Sequence, residues 1–259
     1  MPESHQVRLA TDGAIAIVTL DRADKLNALT PAMLDELSRI ADRIEDDASL
    51  RCVILTGAGE KAFCVGADVN AWAALEPLDM WRSWVRRGHR VFDRWAGLRL
   101  PVIAAINGHA LGGGLELAAV ADIRVARSGA AFGLPETGIG TCPGWSGTQR
   151  LVRLIGEAQV KLLALTARRI DCAEAHRIGL IAEAASADVM ERARAIAQEI
   201  CRLAPVSVQL TKQLIDAGNG ENVAATLEAM AGALAAGTED GREGKTSFAQ
   251  KRAPQFEGR

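Results

Sequence analysis

Three short, mostly apolar runs constrain this chain most: residues 14–20 (AIAIVTL), 52–56 (CVILT) and 102–106 (VIAAI). Each is rich in Ile and Val or wholly apolar, and each is bounded by turn formers. Gly13 and Asp21 flank the first, Gly57-Ala58-Gly59 closes the second, and Asn107-Gly108 follows the third. Such runs read as buried strands. Between them the period changes. Thr30-Pro31 has the form of a helix N-cap with proline at the first helical position. Behind it Met33, Leu34, Leu37, Ile40, Ala41 and Ile44 recur at helical spacing, and residues 77–95 read as another helix. A short helix over 115–121 and a strand over 123–126 follow the third run. Strand and helix thus alternate, which predicts a layered α/β fold. Beyond Ser146 the pattern is helical, with little strand signal: 148–155, 159–165, 189–203, 205–217, 223–236 and 239–251. The expected organisation is a core over 1–200 carrying the active site and a C-terminal helical region over 201–259.

With 259 residues the chain can bury a substantial core, and its net charge of −2 offers no basic surface for nucleic acid or an anionic membrane. The five cysteines (Cys52, Cys64, Cys142, Cys172 and Cys201) form no CxxC pair, so neither a disulfide framework nor a zinc site is indicated. Cys52 reads as a small core hydrophobe. The start, MPESH, lacks a basic segment followed by an apolar stretch, and no apolar run reaches membrane-spanning length. The expectation is a cytoplasmic protein without metal.

Two stretches could carry chemistry. Residues 107–118 (NGHALGGGLELA) place three glycines before an acidic residue, Glu116, at a strand-to-helix junction. Glycines there let a ligand approach the backbone and leave N–H groups at a helix start; they also serve plain tight turns, and Glu116 also suits a helix start. Residues 132–136 (FGLPE) set Glu136 after a proline in an apolar, glycine-rich stretch. Buried, that carboxyl must be paired, protonated or functional; exposed, it is an ordinary loop glutamate. A third loop, 61–69 (KAFCVGADV), offers a further backbone N–H beside Gly66.

These three segments, with 143–151 (PGWSGTQRL) and the ending 248–256 (FAQKRAPQF), resemble the successive signatures of the crotonase (enoyl-CoA hydratase/isomerase) family, in its order and spacing over essentially the whole chain. The resemblance implies the fold shared by crotonases and Clp proteases, a spiral of ββα units with a C-terminal helical trimerisation region. It implies a homotrimer or dimer of trimers acting on an acyl-CoA substrate, with no cofactor beyond the coenzyme A that the substrate carries. The oxyanion donors fall on the backbone N–H groups of Ala67 and Gly113. Glu116 falls on the water-activating base and Glu136 on the proton donor to Cα. Coenzyme contacts fall near Ala67, Asp68, Val69 and Gly113, with Lys25, Phe248 and Lys251 as phosphate or adenine contacts.

The activity implied is enoyl-CoA hydration, the syn addition of water across the 2,3 double bond, or its reverse, in the catabolism of fatty or other acyl groups. An enoyl-CoA isomerase, an aryl-acyl-CoA hydratase-lyase and an acyl-CoA-binding scaffold without catalysis are the alternatives. Isomerases of the family commonly keep only the carboxylate matching Glu136, so Glu116 favours hydration. A serine hydrolase finds no GxSxG, because Gly144-Trp145-Ser146-Gly147-Thr148 misplaces the last glycine. Gly112-Gly113-Gly114 does not continue as GxGxxG, and Gly244-Lys245-Thr246 lacks the P-loop glycine. His109 reads as a hydrogen-bonded or packed residue, and His5, His89 and His176 as surface ones. Five tryptophans and no tyrosine stand out. Trp81, Trp84 and Trp95, with Trp72 just before them, stand in or beside residues 77–95; the three fit core or interface anchors, but Trp84, and after it Trp81 or Trp145, is expected to limit the acyl pocket.

Overall fold

The computed structural model describes residues 6–185 and 188–259, so His5 lies outside the described residues. The chain divides into two compact units, Met1–Gln209 and Leu210–Arg259.

The first unit is built on two sheets. The larger has the order β1 (Val7–Asp12), β2 (Ile15–Leu20), β3 (Cys52–Gly57), β5 (Val102–Ile106), β7 (Ile123–Arg127) and β10 (Glu183–Ala185). Only the β1–β2 pair in it is antiparallel. The smaller has the order β4 (Ala62–Cys64), β6 (His109–Leu111), β8 (Ala131–Gly133) and β9 (Arg169–Asp171), parallel from β4 to β8. Successive stretches β3–β4, β5–β6 and β7–β8 each give one strand to each sheet before helix resumes. That is the ββα spiral which the resemblance implies, and the helical C-terminal region is present too.

The apolar strands are buried on both faces, as parallel strands covered on two sides must be. Val18, Leu20, Val53, Leu55, Val102, Ala104 and Ile106 join one cluster with Leu34, Leu37, Ile40 and Ile44 of the Pro31–Asp46 helix. Ile15, Ile17, Cys52, Ile54, Ile103 and Val125 face the other way, against Val189, Ala193, Ile196 and Ala197 of the Val189–Cys201 helix. Full burial of a Leu or Ile side chain stabilises by roughly 1.5–3 kcal/mol, so this interdigitation fixes the strand register. Thr30 caps the Pro31–Asp46 helix as expected, its Oγ1 accepting from the Met33 N–H at 3.2 Å.

Two expectations are corrected here. Residues 77–95 are not one regular helix: Pro77–Asp79 leads into a π-helical turn, Met80–Val85, before the Arg86–Ala96 helix. The stretch beyond Ser146 also holds the short strands β9 and β10 and a helix, Cys172–Arg177. Among the described residues no helix is long and apolar enough to cross a membrane.

The second unit contains the end of the Pro205–Gly218 helix and the Val223–Gly237 and Glu239–Gln250 helices. Its last residues fold back on the third of these. Asp240 accepts from the Glu257 and Gly258 N–H groups, both at 2.7 Å, and Arg252 pairs with Glu243. Leu214, Leu227, Leu234 and Phe248 are left exposed.

Candidate active site

Three neighbouring parallel strands, β4, β6 and β8, end side by side, and the loops leaving their C-terminal ends carry the site. After β4 comes the stretch 65–68, pinned where Leu29 bridges Ala67: the Leu29 N–H donates to Gly66 O at 2.8 Å and the Asp68 N–H to Leu29 O at 2.9 Å. After β6 come Gly112 and the Gly113–Ala118 helix bearing Glu116. After β8 come Pro135 and Glu136. The Gly112 N–H donates to Gly133 O at 2.9 Å, carrying the β6–β8 pairing up to the site.

Each glycine of the triplet answers a different demand. Gly112 has φ +53°, and a Cβ on it would lie 2.8 Å from Glu136 Oε1. A Cβ on Gly113 would meet the Trp145 ring at 2.9 Å and stand 3.5 Å from the Ala67 nitrogen. A Cβ on Gly114 would overlap the Cys64 backbone carbonyl. The Ala67 and Gly113 N–H groups therefore border one small space, and among the described residues neither has an acceptor within the protein. Two unspent donors at one point suit an oxygen that gains negative charge.

Glu116 and Glu136 flank that space, and both are nearly buried (2% and 9% exposed). Glu116 Oε1 accepts from the Trp145 N–H at 2.9 Å and from the Gly147 N–H at 2.8 Å. Burial raises its carboxyl above the ordinary range, and these backbone donors pull the other way. Gly144, next to these donors, adds to that pull, and Glu116 itself lines the cavity described below. Glu136 is less supported: its Oε2 is buried with no hydrogen-bond partner. Burial pushes this carboxyl up to about 7, and the Glu116 charge adds to the rise. Two carboxyls so placed do not ionise independently; the pair is best served by one negative charge, and the N–H donors favour Glu116 as its holder.

The raised Glu136 carboxyl carries a stability prediction. In the unfolded chain it titrates near 4.5, in the folded protein near 7, so the native state holds the proton more tightly. Stability linked to that proton is full below pH 4.5 and falls as pH rises to 7. The loss is on the order of 3 kcal/mol, since each tenfold gain in proton affinity is worth about 1.4 kcal/mol. Glu136→Gln should therefore gain stability over the wild type at pH 8 and little at pH 4.5. Urea unfolding at the two pH values checks this, and an equal effect at both would count against the buried, protonated carboxyl.

The remaining wall is apolar. A cavity of about 130 Å³ is lined by Val65, Val69, Trp72, Met80, Trp84, Val85, Ile139 and Trp145 together with the two glutamates. That is several times the room that one water needs. The Trp145 ring lies 5.4 Å from Trp84 and 5.3 Å from Phe92, centroid to centroid. The π-helical turn puts Met80, Trp84 and Val85 on this wall. Trp81 is corrected: it is 60% exposed, beside Arg82, and lines no part of the cavity. Trp95 is a core residue whose Nε1 donates to Leu37 O at 3.0 Å.

Of the other residues singled out, Val69 lies on the cavity wall, and the Asp68 side chain turns away to Arg22 at 2.6 Å. Burial acts to raise the Asp68 carboxyl, but the hydrogen bond and charge of Arg22 outweigh it and hold it low. Lys25 is exposed, four residues before the Leu29 bridge. Phe248 and Lys251 are exposed and belong to the second unit. His109 Nδ1 accepts from the Ala131 N–H at 3.2 Å, a strand-to-strand contact. The Cys64 thiol is pushed up to about 12 by burial, which leaves it inert. Among the described residues no group of three His, Cys, Asp or Glu side chains could hold a metal ion.

Sequence reasoning missed two buried asparagines and the turn that serves Glu116. Asn27 Nδ2 donates to Ala58 O and Ala62 O, and Asn107 Nδ2 to Gly59 O, so both staple the turn that leads into β4. Asn107 was visible as a strand terminator, whereas Asn27 gave no local signal. The role of Gly147 is local: a Cβ there would overlap Glu116 Cγ.

Comparison with known proteins places this geometry in a lineage. The enoyl-CoA hydratase/isomerase family model matches residues 10–259. The short-chain-enoyl-CoA hydratase of Clostridium acetobutylicum is 42% identical over 253 residues, spanning 96% of this chain and 97% of that protein. The crotonyl-CoA hydratase of Syntrophomonas wolfei is 37% identical over 251 residues, spanning 96% of each. The crystal structure of an enoyl-CoA hydratase from Bacillus anthracis superposes with a TM-score of 0.81 at 38% identity, over 98% of this chain and all of that one. On sequence and fold together, the chain belongs to the enoyl-CoA hydratase/isomerase family.

Proposed function

We propose that this protein is an enoyl-CoA hydratase, a cytoplasmic hydro-lyase that adds water across the 2,3 double bond of a short 2-enoyl thioester of coenzyme A. The observation that carries the reading is the pair of buried carboxyls of unlike support on either side of two unspent backbone N–H donors. The thioester oxygen sits between the Ala67 and Gly113 N–H groups. Drawing electron density onto it makes Cβ electrophilic and stabilises the enolate-like state that follows. Glu116, held by two N–H groups through Oε1, takes a proton from water through its other oxygen as the water attacks Cβ. Glu136, the carboxyl easier to keep protonated, delivers a proton to Cα. No cofactor enters these steps, since the coenzyme arrives with the substrate.

The coenzyme is assigned to backbone contacts at Ala67, Asp68 and Val69 and a phosphate contact at Lys25. Phe248 and Lys251 are retained as adenine and phosphate contacts on their chemistry alone, an exposed ring and an exposed ammonium. Exposed apolar side chains on the C-terminal helices (Leu214, Leu227, Leu234) support assembly as a trimer or dimer of trimers. Light scattering at micromolar concentration should give a mass three or six times that of the chain; a stable monomer would end that part of the reading.

Incubation with crotonyl-CoA, followed by loss of the enoyl thioester absorbance, tests the activity, and no loss under any condition tried would defeat it. An isomerase is the weaker reading, because the chain keeps a supported carboxyl at Glu116 that proton shuttling by Glu136 alone does not need. Trp84 closes the apolar wall and should limit acyl length. Trp84→Ala should raise kcat/KM for a hexenoyl over a crotonyl thioester by about ten-fold or more, in line with the value of added methylenes in an apolar pocket. Trp81→Ala, outside the cavity, should leave the length profile alone.

A further inference from the structure

Ser146 lies between the two backbone donors that hold Glu116, and its φ of +73° puts a non-glycine residue in the left-handed region. That conformation lets the N–H groups of Trp145 and Gly147 converge on one oxygen; extended backbone would send them to opposite sides. It carries a strain of about 1 kcal/mol or more for a residue with a Cβ, so something must hold it.

The holder is visible. Ser146 Oγ donates to Asp93 Oδ1 at 3.1 Å, and Arg150 Nη2 donates to the same oxygen at 2.8 Å. His89 Nε2 stands 3.2 Å from Asp93 Oδ2, one turn earlier on the Arg86–Ala96 helix. Arg150 stands one turn into the Gly147–Ile155 helix, four residues after Ser146, and its Nε and Nη1 are buried without an acceptor. Asp93 is therefore the carboxylate on which this guanidinium depends among the described residues. The charged groups acting on Glu116 are Glu136 across the cavity and His89; Asp93 and Arg150 stand one contact further away.

We infer that Asp93 and Ser146 are positioning residues for hydration: the Ser146–Asp93 hydrogen bond, braced by Arg150 and His89, clamps the 145–147 turn so that two N–H groups stay on Glu116 Oε1. Neither residue touches substrate. They act through the carboxylate, keeping it oriented and favouring its ionised form. The inference rests on Glu116 being the water-activating base.

The test compares wild type with S146A, S146G, D93N and the D93N/S146G double variant. Crotonyl-CoA hydration is followed across pH, and the Glu116 carboxyl is titrated by isotope-edited infrared spectroscopy with Glu116→Gln to assign the band. Alanine loses the hydrogen bond and keeps the strain, so S146A should lower kcat by about ten-fold or more with KM within about two-fold, as misplacement of a catalytic group does. Glycine adopts φ +73° without strain, so S146G should recover most of that loss. D93N should cost activity in the wild-type background and far less in the S146G background, because the clamp is then already gone. The Glu116 titration should move upward in S146A and D93N as its donors drift away. Wild-type kcat in S146A, equal losses in S146A and S146G, or an unmoved Glu116 titration would each overturn the clamp. If D93N fails to fold with Arg150 stranded, the S146A and S146G pair still decides. Wild type inert toward crotonyl-CoA would sink the hydratase reading instead, and the infrared titration of the same proteins would still judge the clamp.

Discussion

Glu116→Gln is expected to lower kcat for hydration of crotonyl-CoA by about 10²–10⁴-fold, the usual contribution of a positioned general base, with KM little changed. The substitution isolates proton transfer from everything else that Glu116 does. A glutamine oxygen can accept from the Trp145 and Gly147 N–H groups as Oε1 does, so the 145–147 turn keeps its anchor. The amide nitrogen then faces the cavity, where it can hydrogen-bond water but cannot take its proton. Folding should not suffer, because a neutral amide is easier to bury than a carboxylate at 2% exposure. Glu136→Gln should show a loss of similar order, since Cα then lacks its acid. The double variant should lose less than the product of the two single losses, because the groups serve one transition state as a unit. Full hydratase activity in Glu116→Gln would remove the two-carboxylate assignment and make isomerisation through Glu136 alone the leading account.

The contrast between what sequence carried and what it did not has a physical cause. Strands β3 and β5 were legible because both faces are buried, which forces an unbroken apolar run. Strands β4, β6 and β8 are only three residues long, too short to show a period, yet their ends carry the site. Their loops were found through glycines, prolines and isolated carboxyls, and roles for those residues came from family resemblance. Residues 77–95 carry a helical pattern, and the π-helical turn at Met80–Val85 left no mark, since no proline or glycine interrupts those six residues. That turn decides which tryptophan meets the cavity, Trp84 rather than Trp81. The Asp93–Ser146–Arg150 clamp was invisible for another reason: Asp93 lies more than fifty residues before both of its partners, and a hydrogen bond of that range leaves no local pattern.

The neighbouring glycines of the triplet should separate catalysis from folding. Gly113→Ala keeps the N–H but blocks the space before it, and is expected to give a folded protein with kcat/KM lowered by about 10²–10³-fold, the range seen when one oxyanion donor is put out of use. Its added methyl would stand 2.9 Å from the Trp145 ring and 3.5 Å from the Ala67 nitrogen, filling the space assigned to the thioester oxygen. The contact is with a ring edge that borders the cavity and needs to shift by only a few tenths of an ångström, so although Trp145 packs on Trp84 and Phe92 the cost falls mainly on binding of the developing charge. Gly114→Ala meets something that cannot move cheaply, the backbone carbonyl of Cys64 on β4. Relief requires shifting β4 away from the Gly113–Ala118 helix within a fully buried core. Overpacking of this kind typically costs about 1–3 kcal/mol, and more where backbone meets backbone. Thermal unfolding should thus show a near-native midpoint for Gly113→Ala and a strongly lowered one, or insoluble protein, for Gly114→Ala. If Gly113→Ala kept full hydratase activity while folded, the Gly113 N–H would not be an oxyanion donor, and the carbonyl-binding half of the mechanism would have to be rebuilt around Ala67 alone.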